Sequence, residues 1–196
     1  MAKKPDLHLS GDPSADKLIS SNPFALLVGM VLDQQIPLEW AFTAPSLLAQ
    51  RVPGTLDAAT VAAMDPEALA EAFRTRPALH RFPGSMAERV QEVAKLIVDQ
   101  YDGDAAKIWK TAKSGEELRQ RVEALPGFGK QKAKIFVALL GKQLGVRPEG
   151  WREQSAPFGE EGSTLSVADI ESAETLAMVR EHKRQMKATA KAASKS

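Results

Sequence analysis

Val90, Val93, Ile97 and Tyr101 recur at three- and four-residue steps, the spacing of one helix face, and Ser85-x-x-Glu88 just before them has the form of a capping box. This pattern predicts an amphipathic helix ending near Asp102-Gly103. A denser apolar run, PFALLVGMVL after Asn22, has no polar face and predicts a buried helix opened by an Asn cap and a Pro in its first turn. Pro37 should break that run, and Pro45 should kink the helix that follows. Asp57 and Asp65-Pro66 are two successive caps, for short helices through AATVAAM and EALAEAFR. Asp104 caps AAKIWKTA, and Ser114-x-x-Glu117 is a second capping box, opening ELRQRVEAL. A Pro- and Gly-containing break then precedes a helix from near Lys130 to about Leu144. GVRPEGWREQSAPFGEEGSTL is expected to be a long loop, Ser166-x-x-Asp169 to open a final helix, and KATAKAASKS to fray. No run alternates with the strand period and no segment repeats, so the expected fold class is all-α.

Length sets the scale. A chain of 196 residues, 43% hydrophobic, can bury one core or two small lobes sharing a cleft. The expected organisation is a partly ordered N-terminal segment over 1–19, one domain over 20–186 with a hairpin at about 115–144, and a basic tail over 187–196. The chain has no cysteine, and His8, His80 and His182 are scattered without ligand spacing, so no zinc-type centre is expected. No apolar run reaches membrane-spanning length and the N-terminus lacks the apolar core of a signal peptide, which leads to an expectation of a cytoplasmic protein.

Charge changes the picture more. The net is +1, yet between Lys107 and Arg147 ten basic side chains face three acidic ones. Such a run is either a solvated helical face or an anion-binding surface. The break inside it, Leu125-Pro126-Gly127-Phe128-Gly129, joins two helices as a helix-hairpin-helix or as an ordinary αα-corner. In the hairpin reading, Pro126 pre-sets the turn, Leu125 and Phe128 anchor it, and Gly127 and Gly129 supply conformations and close approach that a Cβ would obstruct. The free amides at the start of the second helix then form an anion site, and Lys130, Lys132 and Lys134 add charge suited to a nucleic-acid backbone.

LPGFGKQKA resembles the hairpin signature of the helix-hairpin-helix base-excision DNA glycosylases (HhH-GPD), and more narrowly the chain is similar to a small actinobacterial-type group of that superfamily. FALLVGMVLDQQIPLEWA, upstream, resembles the family's buried helix ending in a glutamine turn. Gln34 and Gln35 are the matching positions, where the resemblance implies a side chain filling the gap left by an extruded base; caps or loop hydrogen bonds are the alternative. The resemblance covers roughly residues 20 to 148. It implies a two-lobed helical fold, a double-stranded DNA partner carrying a damaged or mismatched base, association with the nucleoid, action as a monomer, no cofactor, and a monovalent cation held by carbonyls around residues 125 to 130.

The expected chemistry follows less closely. Strand-cleaving members carry a nucleophilic lysine two residues after the second hairpin glycine, where this chain has Gln131, so no Schiff-base lyase activity is expected. The family's sugar-stabilising aspartate falls, counting 18 residues on without gaps, at Glu149. Glu149 is either that carboxylate or an exposed loop residue. Trp151 and Phe158 either line a base pocket or tie the loop to the core, and Arg74, Arg76, His80 and Arg81 either contact DNA or form a rigid surface loop.

Overall fold

The computed structural model describes residues 6–193. Its helices are α1 (Pro13–Ser21), α2 (Pro23–Leu32), α3 (Leu38–Ala49), α4 (Ala58–Ala63), α5 (Pro66–Arg74), α6 (Pro83–Tyr101), α7 (Lys107–Lys110), α8 (Gly115–Glu123), α9 (Lys130–Gln143), α10 (Trp151–Ser155) and α11 (Ala173–Ala193). A 3-10 turn, Val167–Asp169, precedes α11. Among the described residues there is no strand, and no single helix is long and apolar enough to cross a membrane.

The caps act largely as the sequence implies. Asn22, Asp57 and Asp65 each accept first-turn amides with their side chains, which fixes where α2, α4 and α5 begin. α2 is the centre of the core: every residue from Phe24 to Leu32 is buried. Its Gly29 lets α3 approach closely, since a Cβ there would lie 2.5 Å from Cδ1 of Phe42. α6 lies against α2, α4 and α5, while α9 lies against α8, α10 and the 3-10 turn. Two groups of helices thus meet around the C-terminal end of α2.

Several boundaries differ from the sequence reading. α1 was passed over; Asp12 caps it, and buried Asp16 accepts from the amides of Leu9 and Ser10, seating Leu7 and Leu9 in the core. α6 begins at Pro83 rather than after Ser85, and no side chain caps it, because the fixed φ of proline already starts the helix. The box at Ser114 is half made: its hydroxyl accepts from the Glu117 amide, but the Glu117 carboxylate accepts from Lys113. The box at Ser166 is complete, yet it closes only the 3-10 turn, and α11 starts later. α3 continues past Pro45, which lies inside it, and the hydroxyls of Thr43 and Ser46 donate to carbonyls of Glu39 and Thr43. The long loop contains α10, held because Trp151 lies where a Cβ on Gly141 would be, 2.3 Å away. Trp151 therefore ties the loop to the core, and half-buried Phe158 packs against the same core. α11 carries the tail as far as Ala193; residues 194–196 lie outside the described residues.

Candidate nucleic-acid interface

α8 and α9 form the hairpin. Leu125 and Phe128 are buried and anchor the turn, with the Phe128 amide donating to the Leu125 carbonyl at 3.0 Å. Phe128 meets Phe136, which in turn meets Trp109 edge-on. Pro126 is half-buried, while Gly129, Lys130 and Gln131 are exposed.

The two glycines do different things. Gly127 has φ +84°, a conformation that disfavours any side chain, and a Cβ there would meet the stem of Arg89 from α6 at 2.5 Å. Gly129 has φ −85° and nothing within 4 Å of a would-be Cβ, so the fold itself does not require glycine there. It stands at the N-cap of α9, which has no side-chain cap, and its bareness leaves the first amides of α9 open to an anion.

The lysines also divide. Steps of two along a helix turn about 200°, so Lys130 and Lys134 share a face and Lys132 points away. Lys130 and Lys134 line a groove of about 610 Å³ with Arg119, Gln120 and Glu123 on one side of the hairpin. Lys134 also donates to the Ala156 carbonyl at 3.3 Å. Lys132 is not part of this outward comb. Its ammonium turns inward and donates to the carbonyls of Met30 (2.7 Å) and Val31 (3.3 Å) at the end of α2. Burial pushes its pKa down to about 8; the Asp33 carboxylate works against that fall, while Arg89 and Lys183 add to it.

Around Lys132 the α2–α3 turn is tightly held. The Gln34 amide nitrogen donates to the Leu32 carbonyl at 2.6 Å, and the Gln34 side chain donates to Val31 at 2.8 Å and approaches Met86 Sδ at 3.6 Å. Gln34 thus serves the turn. Gln35 is exposed and adopts φ 57°, a left-handed conformation that lifts it out of the turn.

His80 is buried and belongs to the same structure. Its Nδ1 accepts from the Phe82 amide at 3.0 Å, so Nε2 carries the proton and donates to the Gln34 carbonyl at 2.8 Å. Burial, foremost, holds its pKa below the usual value. Its segment is pinned by Arg51, which donates to Ala72, Thr75 and Pro77 carbonyls, and by Trp40, which donates to Ala78. His80 is therefore a brace for the glutamine turn and not an exposed contact. Arg74 is engaged by Glu67 at 2.6 Å. Phe82 is 44% exposed beside that turn, with Arg81 stacked over its ring.

Asp33, Arg89 and Lys183 went unnoticed in the sequence. Asp33 caps the C-terminal end of α2, 3.4 Å from Lys183 of α11, and is half-buried. A carboxylate there opposes the helix dipole, and that unfavourable placement at the end of the apolar run was the available signal.

The candidate carboxylate Glu149 and the lysine-position residue Gln131 lie apart. Gln131 is exposed on the outer side of α9. Glu149 is exposed, and its carbonyl accepts from the Gly115 amide at 2.7 Å. Gly115 opens α8 and the hairpin follows its far end, so Glu149 is about 14 Å of helix from the turn. Among the described residues no group of three His, Cys, Asp or Glu side chains could hold a metal ion. In the turn, the Leu125 and Gly129 carbonyls each accept one amide, from Phe128 and Ala133, and keep a second lone pair.

No curated protein and no solved structure matches the chain significantly. A family model described as "HhH-GPD superfamily base excision DNA repair protein" matches residues 28–196, from within α2 through both the glutamine turn and the hairpin. The chain accordingly belongs to the HhH-GPD superfamily of base excision DNA repair proteins.

Proposed function

We propose that this DNA-binding repair protein is a monofunctional DNA glycosylase: acting as a single chain on a damaged or mismatched duplex, it hydrolyses the N-glycosidic bond of an extruded base. The observation that carries the reading is the meeting of Lys132 and Asp33 at the end of α2, directly beneath the turn that presents Gln35. Open α9 amides, Lys130 and Lys134 hold backbone phosphates, while Gln35 and Phe82 stand where a vacated stack needs filling.

In the reaction, water adds to the sugar C1′ as the bond to the base breaks. The base leaves with the bonding electron pair and takes a proton from solvent. The sugar passes through a positively charged state that a nearby carboxylate stabilises, and that carboxylate takes the proton lost by the water. Asp33, next to the glutamine turn at the end of α2, is the carboxylate assigned both tasks, in place of distant Glu149. Gln131 has no amine, so no Schiff base forms at that position and the product is an intact strand with an abasic site.

The exposure of Gln131 and the remoteness of Glu149 favour a second reading, a DNA-binding protein of the same fold without catalysis. Base release from duplexes each carrying uracil, an alkylated purine, an oxidised purine or a mismatch separates the two. Release that Asp33→Asn abolishes and Glu149→Gln leaves intact supports the enzyme with Asp33 as its carboxylate. Tight binding to these duplexes with no base released from any of them supports the second reading.

A further inference from the structure

The chain's positive charge is gathered in two segments. Lys107–Arg147 carries ten basic side chains against three acidic, and Arg180–Lys191 carries five against one. With 26 basic and 25 acidic residues in all, everything outside the two segments carries a formal charge of −10. The first segment contains the hairpin. The second is the outer half of α11, to which the reaction above gives no part.

α11 is seated by buried Leu176 and Val179, behind the Lys142–Asp169 ion pair that fixes the 3-10 turn on α9. Its next turns reach the site. Arg180 pairs with Glu39 of α3 at 2.9 Å, and Lys183 lies 3.4 Å from Asp33 and near enough to Lys132 to oppose its charge. α11 therefore passes the C-terminal end of α2 and the start of α3, and its remaining turns extend beyond Lys183. From Arg184 to Ala192 every side chain is exposed. The isolated basic face of a helix is by default a solvated face. What distinguishes this one is its tether to Glu39 and Asp33 and its continuity, through Lys183 and Lys132, with the hairpin.

We propose that the outer half of α11 is a second contact to the duplex backbone, gripping the strand beside the glutamine turn; the inference rests on the reading of the chain as a DNA-binding repair protein. Arg184, Lys187 and Lys191 follow at three- and four-residue steps on one face. They span about 10 Å of helix, which matches about three steps of one DNA strand at about 3.4 Å each. Contacts of this kind carry charge without reading sequence.

The test is anisotropy of a labelled undamaged duplex titrated with the full chain, wild type beside Arg184→Ala/Lys187→Ala, over about 50 to 200 mM salt. Both sites are exposed and alanine favours the helix, so the fold is retained. The double variant should lower the slope of log affinity against log salt by about 1.8, so that raising the salt weakens it roughly tenfold less than wild type. An unchanged slope, with Gly129→Ala still weakening the complex, overturns the α11 contact and leaves the DNA-binding reading standing. Absence of salt-dependent binding by wild type removes both. Sedimentation showing a wild-type dimer that the double variant dissociates, with the slope unchanged, assigns the face to a second copy and also overturns the proposal.

Discussion

Replacing each hairpin glycine with alanine separates what the turn does for the fold from what it does for a bound phosphate. At Gly127 the backbone sits at φ +84°, where a Cβ costs roughly 1–2 kcal/mol, and the Arg89 stem must also move. At about 2–4 °C per kcal/mol for a chain of this size, Gly127→Ala should lower Tm by roughly 2–8 °C. At Gly129 the conformation is ordinary and the space open. Stiffening the unfolded chain gains about 0.4–1 kcal/mol and replacing glycine at an N-cap loses a similar amount, so Tm should stay within about 2 °C. The new methyl nevertheless stands beside the first amides of α9. Losing one charge-assisted hydrogen bond, worth about 1.5 kcal/mol or more, should weaken duplex binding about tenfold. Thermal melts and anisotropy titrations of both variants check this. If Gly129→Ala leaves both Tm and Kd at wild-type values, no phosphate approaches α9 at main-chain distance and the hairpin argument fails.

Lys132→Met should remove an alkaline dependence of stability. With a folded pKa of about 8 against an ordinary value of 10.5, the unfolded chain holds the proton more tightly, so wild-type stability rises from about pH 8 to 10.5, and denaturant melts of the variant should lose that rise. His80 works on the acid side: its folded pKa lies below the unfolded value, so stability is complete above about pH 6.5 and falls as pH drops below it, a decline that His80→Gln should flatten. Gln35→Ala should lower base release more than duplex affinity, because an exposed wedge acts after the backbone is held; equal losses in both would contradict that role.

Local signals carried the fold where they were strong. Asn22, Asp57 and Asp65 announce helix starts because each side chain satisfies amides within its own turn, and the structure uses all three. α1 opens with the same Asp-Pro signal as α5 and was legible from it, whereas α10 is short and is held by a distant partner. Asp16 reaches back to Leu9 and Ser10, and Trp151 fills the space left by Gly141. Ser85 misled because a capping pattern describes what a chain can do, whereas Pro83 had already begun the helix.

The site was legible as a pair of motifs but not as an arrangement. Two hairpin anchors, Leu125 and Phe128, follow from the turn alone, and the inward direction of Lys132 was implicit in the 100° step per residue. What no local rule supplied is where that lysine arrives. It ends among the C-terminal carbonyls of α2, about a hundred residues earlier in the chain, beside a carboxylate that works against the same helix dipole. A buried ammonium with a depressed pKa costs stability, and a methionine of similar length would avoid that cost but leave the Met30 and Val31 carbonyls without their donor. Lys132 thus has a structural task, holding the open carbonyls of Met30 and Val31 at the end of α2 beside Asp33. The proposed reaction asks more of the same pair, a cation to meet an anionic strand and a carboxylate to meet a cationic sugar, and it predicts that removing either charge impairs base release while leaving the hairpin's hold on the backbone intact.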